Sequence, residues 1–241
     1  MRKKILMIGN SNQLPGVPVD LADFYDFFTS PEGGNWCGNE IEVLKNPSRR
    51  SLFQSVEEIA EAEYDYLITF FTGHGNEDDD ETVLCINERE EIVLSNLTNL
   101  SPKQLNIIHC CRCYAETSTD RPFMKARRTR LSISRNPIRR AYEKRIQDCS
   151  PEQIILYSCE DGEITSGTYD GGNYLQSLLD ATHAILAESD TPFVSVAQAH
   201  HEAVALTRQD GSRLQQRPQI HPSSPSIHPY PLPWAINPDF V

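Results

Sequence analysis

Phe70-Phe71-Thr72-Gly73-His74-Gly75 and Ile107-Ile108-His109-Cys110-Cys111-Arg112-Cys113 are the two stretches on which the fold turns. Each directly follows or contains an apolar run, Tyr66 to Phe71 in the first and Leu105 to Ile108 in the second. These runs are too short for a buried helix and rich in β-branched or aromatic residues. Both are therefore predicted as central strands of a parallel sheet, covered on both faces. In open α/β sheets, ligands and reactive groups gather outside the carboxyl ends of such strands. A histidine and a thiol 37 positions apart, each just past a strand end, need only one intervening crossover to meet.

Outward from this pair, strands are predicted at 4–9, 41–44, 65–71, 104–110 and 153–158. Pro18 to Thr29 carries Leu21, Phe24, Tyr25 and Phe28 at helical spacing, and Ser51 to Ala62 carries Leu52, Val56 and Ile59. Val83 to Ile86 and Glu91 to Leu94 flank Asn87-Glu88-Arg89-Glu90 as a β-hairpin, after which Ser95 is predicted to cap a short helix. Strands alternating with helices imply an α/β layer architecture with a mainly parallel sheet. Residues 114–150 are predicted as a long basic linker loop, with a short basic helix over Ile138 to Ile146. The segment 217–241 holds seven prolines between Arg217 and Pro238. It is predicted as an extended tail packed on the domain through Tyr230, Leu232 and Trp234.

A chain of 241 residues suits one domain over 1–241, able to bury roughly 70% of its unfolded surface. Seven cysteines without regular spacing argue for a reducing, cytoplasmic setting rather than a disulfide framework. The basic start Met1-Arg2-Lys3-Lys4 leads into an apolar stretch too short for a signal peptide, and no run approaches the roughly 20 apolar residues that a membrane span needs. The net charge of -12 hides an asymmetry: residues 121–145 hold ten of the 22 Lys and Arg and one acid, Glu143. The acidic remainder would repel phosphate, and the basic segment has few aromatics for base stacking, so nucleic acid is not the expected partner.

Taken together, the motifs resemble those of the caspase and metacaspase clan, in a small prokaryotic-type form. Phe71-Thr72-Gly73-His74-Gly75 is similar to the clan's Ser-Gly-His-Gly segment. His109-Cys110-Cys111-Arg112-Cys113 is similar to Gln-Ala-Cys-Arg-Gly in its cysteine and arginine. Lys4-Ile5-Leu6-Met7-Ile8-Gly9 resembles the first strand, and Leu14-Pro15-Gly16-Val17-Pro18-Val19-Asp20 the Leu-x-Gly-x-x-Asn-Asp loop. Ile154-Ile155-Leu156-Tyr157-Ser158-Cys159 and Gly172-Asn173-Tyr174-Leu175-Gln176-Ser177-Leu178-Leu179 resemble the late strand and the helix after it. The resemblance implies a caspase-like three-layer α/β/α sandwich with a mainly parallel central sheet. It implies a cysteine endopeptidase acting on protein substrates in regulated proteolysis, cell death or defence, with an activating or regulatory protein as a further partner. Cys111 would be the nucleophile and His74 the acid/base.

The chemistry suits those residue types. Peptide hydrolysis needs a strong nucleophile, a proton donor for the leaving amine and donors aimed at the oxyanion. The backbone amides of Gly75 and Cys111 would supply the last, and no third triad member is evident. In metacaspases an aspartate of the early loop and another two residues before the cysteine favour Arg or Lys before the scissile bond (P1). This chain keeps the first as Asp20 and has His109 at the second. Thr72, and Glu160 and Asp161 past the late strand, complete the expected substrate-binding set, which favours basic P1. The resemblance also makes the 121–145 segment a self-cleavage site, after Arg128, Arg130, Arg140 or Arg145.

Three alternatives stay open on the sequence alone. One is a non-catalytic scaffold of the same fold. The second is zinc held by His109, Cys111 and Cys113, which strand alternation puts on one face; the third is nucleic-acid binding through the basic segment. No metal or other cofactor is required by the reading. Asp78-Asp79-Asp80-Glu81 is either a calcium-responsive loop or a solvated turn.

Overall fold

A computed structural model describes residues 1–78, 81–112, 136–165, 167–188, 190–209, 216–222 and 231–241. In chain order the elements are β1 (Lys3–Gly9), α1 (Val17–Thr29), β2 (Ile41–Lys45), α2 (Arg49–Glu61), β3 (Tyr66–Thr72), β4 (Gly75–Asp78), β5 (Glu81–Cys85), β6 (Glu91–Val93) and β7 (Lys103–His109). They continue with α3 (Pro137–Asp148), β8 (Glu152–Tyr157), β9 (Gly167–Thr168), β10 (Gly171–Gly172), α4 (Asn173–Glu188), β11 (Phe193–Ser195), α5 (Val196–Gln209), β12 (Gln219–His221) and β13 (Pro233–Ile236).

The main sheet has the order β12-β8-β7-β3-β1-β2, parallel throughout except for the edge strand β12. Successive residues of its strands feed two cores. Ile5, Met7, Ile68, Phe70, Leu105 and Ile107 pack with α1, α3, α4 and α5. Leu6, Ile8, Leu67, Phe71 and Ile108 pack with α2 and the antiparallel sheet β4-β5-β6. Burial on both faces explains why the strands are uninterrupted apolar runs rather than alternating ones. Three layers result, with the five helices and the small sheet clothing the central one.

Local chemistry sets the helix ends. α1 opens on a proline in its first turn, where the missing amide costs nothing. α2 is capped by Ser48, whose side chain accepts from Ser51 N, so it starts two residues before Ser51. Ser95 does not cap: it lies inside a 3-10 turn, Leu94–Leu97, that follows Val93, and its amide donates to Glu81 Oε1 at 2.9 Å. The buried Leu94 and Leu97 hold that turn in place instead.

The basic linker is shorter than the 114–150 expected. Asn136 accepts from Ile138 N at 3.0 Å and Pro137 follows it, a strong helix start, and Tyr142 and Ile146 then bury α3 in the core. Arg140 and Arg145 therefore sit inside a packed helix, where a peptide bond cannot extend into a peptidase site, and both are removed as cleavage points. Arg128 and Arg130 lie outside the described residues. The proline-rich tail does more than extend over the surface: β12 pairs with β8, and β13 pairs with β11. Trp234 of β13 stacks on Phe27 at 5.1 Å, meets Phe28 edge-on and donates from Nε1 to Thr182 Oγ1 at 2.6 Å. Leu232 is also buried, while Tyr230 lies outside the described residues.

Candidate active site

β3 and β7 are parallel neighbours, and their register pairs Thr72 with His109. The pairing persists past the strand ends, since Gly73 N donates to His109 O at 3.1 Å. His74 and Cys111 each lie two residues beyond the paired positions. Strands in a ladder are about 4.8 Å apart, so the two residues leave neighbouring strand ends with equal overhangs. Both line one cavity of about 290 Å³ at the carboxyl edge of the sheet.

The His74 ring is anchored from behind. Its Nε2 lies 2.8 Å from the backbone carbonyl of Asn12. A carbonyl only accepts, so Nε2 carries the proton and Nδ1 is left with its lone pair for a thiol. The carbonyl is itself held: Asn12 N donates to Asn10 Oδ1 at 3.1 Å, Asn10 Nδ2 donates to Cys85 O at 2.8 Å, and Ser11 N donates to Asn46 Oδ1 at 2.9 Å. Asn10 is buried, and its own amide donates to Thr72 O at 2.9 Å. The sequence gives no sign of this contact, because a backbone carbonyl leaves no side-chain signature.

Gly75 begins β4. Cys85 N donates to His74 O at 3.0 Å, which makes Gly75 and Leu84 a non-hydrogen-bonded pair and turns the Gly75 amide away from β5. The glycine is required by packing, since a Cβ there would lie 2.5 Å from Cys110 Sγ. Cys110 is buried, and burial pushes its thiol well above the ordinary range; burial likewise lifts Cys159 to about 11. Cys111 is partly exposed, with Sγ 4.0 Å from the Thr165 carbonyl oxygen. Arg112 fixes the chain beyond it: the guanidinium pairs with buried Glu77 of β4 and lies 4.2 Å over the Tyr157 ring. Its backbone donates to Glu163 O at 2.9 Å and accepts from Gly162 N at 2.9 Å. The strands bearing His74 and Cys111 are thus tied together a second time.

Asp20, Thr72 and His109 line the same cavity. Asp20 is 2% exposed, with Oδ2 accepting from Thr72 Oγ1 at 2.6 Å and Oδ1 from Gly172 N at 2.7 Å. The His109 ring lies against Gly172, where a Cβ would overlap it. Burial lowers the pKa of His109 below the ordinary 6.5, with Asp20 pulling the other way, and its Nδ1 has no hydrogen-bond partner. The ring is accordingly neutral near pH 7. Glu160 and Asp161 do not line the cavity. Glu160 faces Arg217 at 2.7 Å and Asp161 is exposed in a turn, because Arg217 also grips Glu163 and draws the loop outward. β7 ends at His109, so strand alternation does not reach Cys111; Cys113 lies outside the described residues. No group of three His, Cys, Asp or Glu converges as a metal would need among the described residues. Asp79 and Asp80 fall outside them, while Glu81 is engaged with Ser95. No described helix is long and apolar enough to cross a membrane.

A layered α/β/α fold with a histidine and a cysteine at adjacent strand ends defines the class. Residues 2–226 match the caspase domain model, and the chain belongs to that family. Among solved structures it is similar to caspase-1 from Spodoptera frugiperda, with a TM-score of 0.59, 14% identity, and coverage of 91% of this chain and 85% of that one. It is similar also to a structural-genomics protein from Geobacter sulfurreducens, with a TM-score of 0.57, 13% identity, and coverage of 96% and 99%. At these identities the likeness speaks to fold alone. No curated protein matches it by sequence.

Proposed function

We propose that this chain is a cysteine endopeptidase that cuts after arginine or lysine, with Cys111 as nucleophile and His74 as acid/base. The observation that carries the reading is the Thr72–His109 register, which gives imidazole and thiol equal overhangs on adjacent strands. His74 Nδ1 takes the Cys111 proton, and the thiolate attacks the scissile carbonyl. The Gly75 and Cys111 amides receive the oxyanion. Collapse of the intermediate expels the amine, which takes the proton back from His74 and leaves an acyl-enzyme. His74 then removes a proton from water, and the resulting attack frees Cys111.

The P1 preference rests on charge. Asp20 is the one acidic or basic side chain, histidines aside, lining the cavity among the described residues. Among the described residues no arginine lines it, as an acidic P1 would require, and a neutral His109 adds no competing positive charge. Each Asp20 oxygen accepts one protein hydrogen bond and keeps a lone pair for a substrate cation. The same preference directs self-cleavage to the stretch between Arg112 and α3, after Arg128 or Arg130.

A peptide library profiled at P1, with fragment masses of the incubated protein read alongside, tests the assignment. The parent should prefer Arg and Lys, Cys111→Ala should cleave neither peptides nor itself, and Asp20→Ala should lose about 2 kcal/mol, or thirtyfold in kcat/KM, on basic P1. A profile dominated by Asp at P1, or cleavage by Cys111→Ala, would overturn it.

A further inference from the structure

A second cavity lies further along the carboxyl edge of the sheet. It has a volume of about 630 Å³, is open to solvent and is bordered by Ser11 to Gln13, Asn46 and Asn87 to Arg89. The order of the central strands places it: Cys111 follows β7, His74 follows β3, Asn12 follows β1 and Asn46 follows β2, and these strands are consecutive neighbours. Asn12 belongs to both regions, since its carbonyl holds His74 Nε2 while the residue borders the second cavity.

Chemistry gives that order a direction. The group protonated by His74 is the leaving amine, so the part of a substrate after the scissile bond departs from Cys111 on the His74 side. Continued along the same edge, it meets Asn12 and then the cavity. Most polar groups there are already spent. Asn46 bonds Ser11 through both ends of its amide. Asn87 Nδ2 donates to Pro47 O at 2.7 Å and Glu90 Oε2 at 2.8 Å, while its Oδ1 accepts from the amides of Arg89 and Glu90. The turn is thereby pinned. Arg89 rises from it exposed, with no ion-pair partner among the described residues. Glu88 is exposed beside it, so the rim carries one exposed cation and one exposed anion on a pinned turn rather than a broad positive field.

We infer that this cavity is a binding site for the peptide segment that follows the scissile bond, and that Arg89 selects an acidic side chain within it. The inference rests on the peptidase reading, and together the two sites describe a substrate with a basic residue before the cut and an acidic one shortly after.

Binding to the Cys111→Ala protein tests it without turnover. Three fluorescent peptides share one half ending in Arg at P1. The first stops there as an amide, the second continues through four residues that include Asp and Glu, and the third has Lys in those places. The acidic extension should bind about fivefold more tightly than the basic one, as one exposed ion pair allows, and the gap should shrink with added salt. Arg89→Ala should erase it and Arg89→Glu reverse it. Equal affinities for the acidic and basic extensions, or a preference that Arg89→Glu leaves in place, would overturn the inference while sparing the peptidase reading. Failure of all three peptides to bind would overturn both.

Discussion

At the amino ends of the central strands, Lys3 of β1 lies buried 3.5 Å from Glu143 and 3.9 Å from Glu40, with its amine 3.8 Å over the Trp36 ring. Arg139 grips both oxygens of Glu40, at 2.7 and 2.6 Å, and reaches Glu143 at 2.9 Å. At the carboxyl ends, polar groups are differently spent. Asp20 is held by a hydroxyl and an amide, His74 by a carbonyl and Asn10 by backbone groups. Charges that neutralise each other, as at the amino end, act on nothing else and serve to fasten α3 to the sheet. Groups held by neutral dipoles keep their charge or lone pair for a ligand. On the proposed function, one end is built for cohesion and the other for chemistry.

The largest effect that can break this contrast is at Lys3. Burial pulls its amine down to about 8 from an ordinary 10.5, outweighing the attraction of Glu40 and Glu143. Between pH 8 and 10.5 the unfolded chain holds a proton that the folded chain has released, so stability rises with pH across that window. Denaturant unfolding of the parent and of Lys3→Met at both ends of the window should show the parent gaining about 3 kcal/mol relative to the variant. Peptide cleavage per folded molecule at pH 7 should be the same in both. Parallel stability curves, or a slower Lys3→Met enzyme, would erase the distinction between the two ends.

A smaller effect sharpens the other side. Asn10→Asp keeps the acceptor for Asn12 N and loses the donor to Cys85 O, whereas Asn10→Ala loses both. If the side chain acts by aiming the Asn12 carbonyl at His74, kcat should fall about tenfold in Asn10→Ala and less in Asn10→Asp, with KM unchanged in each. Pre-steady-state acylation measurements separate these quantities. A change confined to KM would assign Asn10 to substrate binding instead.

Much of this was legible in the sequence, because burial on two faces leaves a compositional mark. Runs such as Tyr66 to Phe71 announce central strands, and short motifs at their ends mark where chemistry collects. The resemblance named the family, and the three residues it singled out, His74, Cys111 and Asp20, line one cavity. What escaped the reading depends on contacts between distant positions. Glu160 is drawn off by Arg217, 57 residues later, which no local pattern indicates. A short basic helix over Ile138 to Ile146 is expected and found, but its docking is not legible in a mostly polar segment, because it depends on Tyr142 and Ile146 reaching the core and on Arg139 and Glu143 meeting Glu40 and Lys3. Gly75 is singled out in the sequence only for its backbone amide, whereas what forbids a side chain there is Cys110 Sγ.

The pairing of Cys111 with His74 is the claim on which the account rests, and the reactivity of the thiol tests it most directly. Carbamidomethylation rates at each cysteine, read by peptide mass spectrometry from pH 5 to 9, should single out Cys111 over the buried Cys110 and Cys159. Its rate in the parent should remain high below pH 7, because an imidazolium beside it preserves the thiolate. In His74→Ala the rate should collapse at low pH and recover only as an ordinary thiol ionises, near pH 8.5. Superimposable Cys111 profiles in parent and His74→Ala would contradict the dyad.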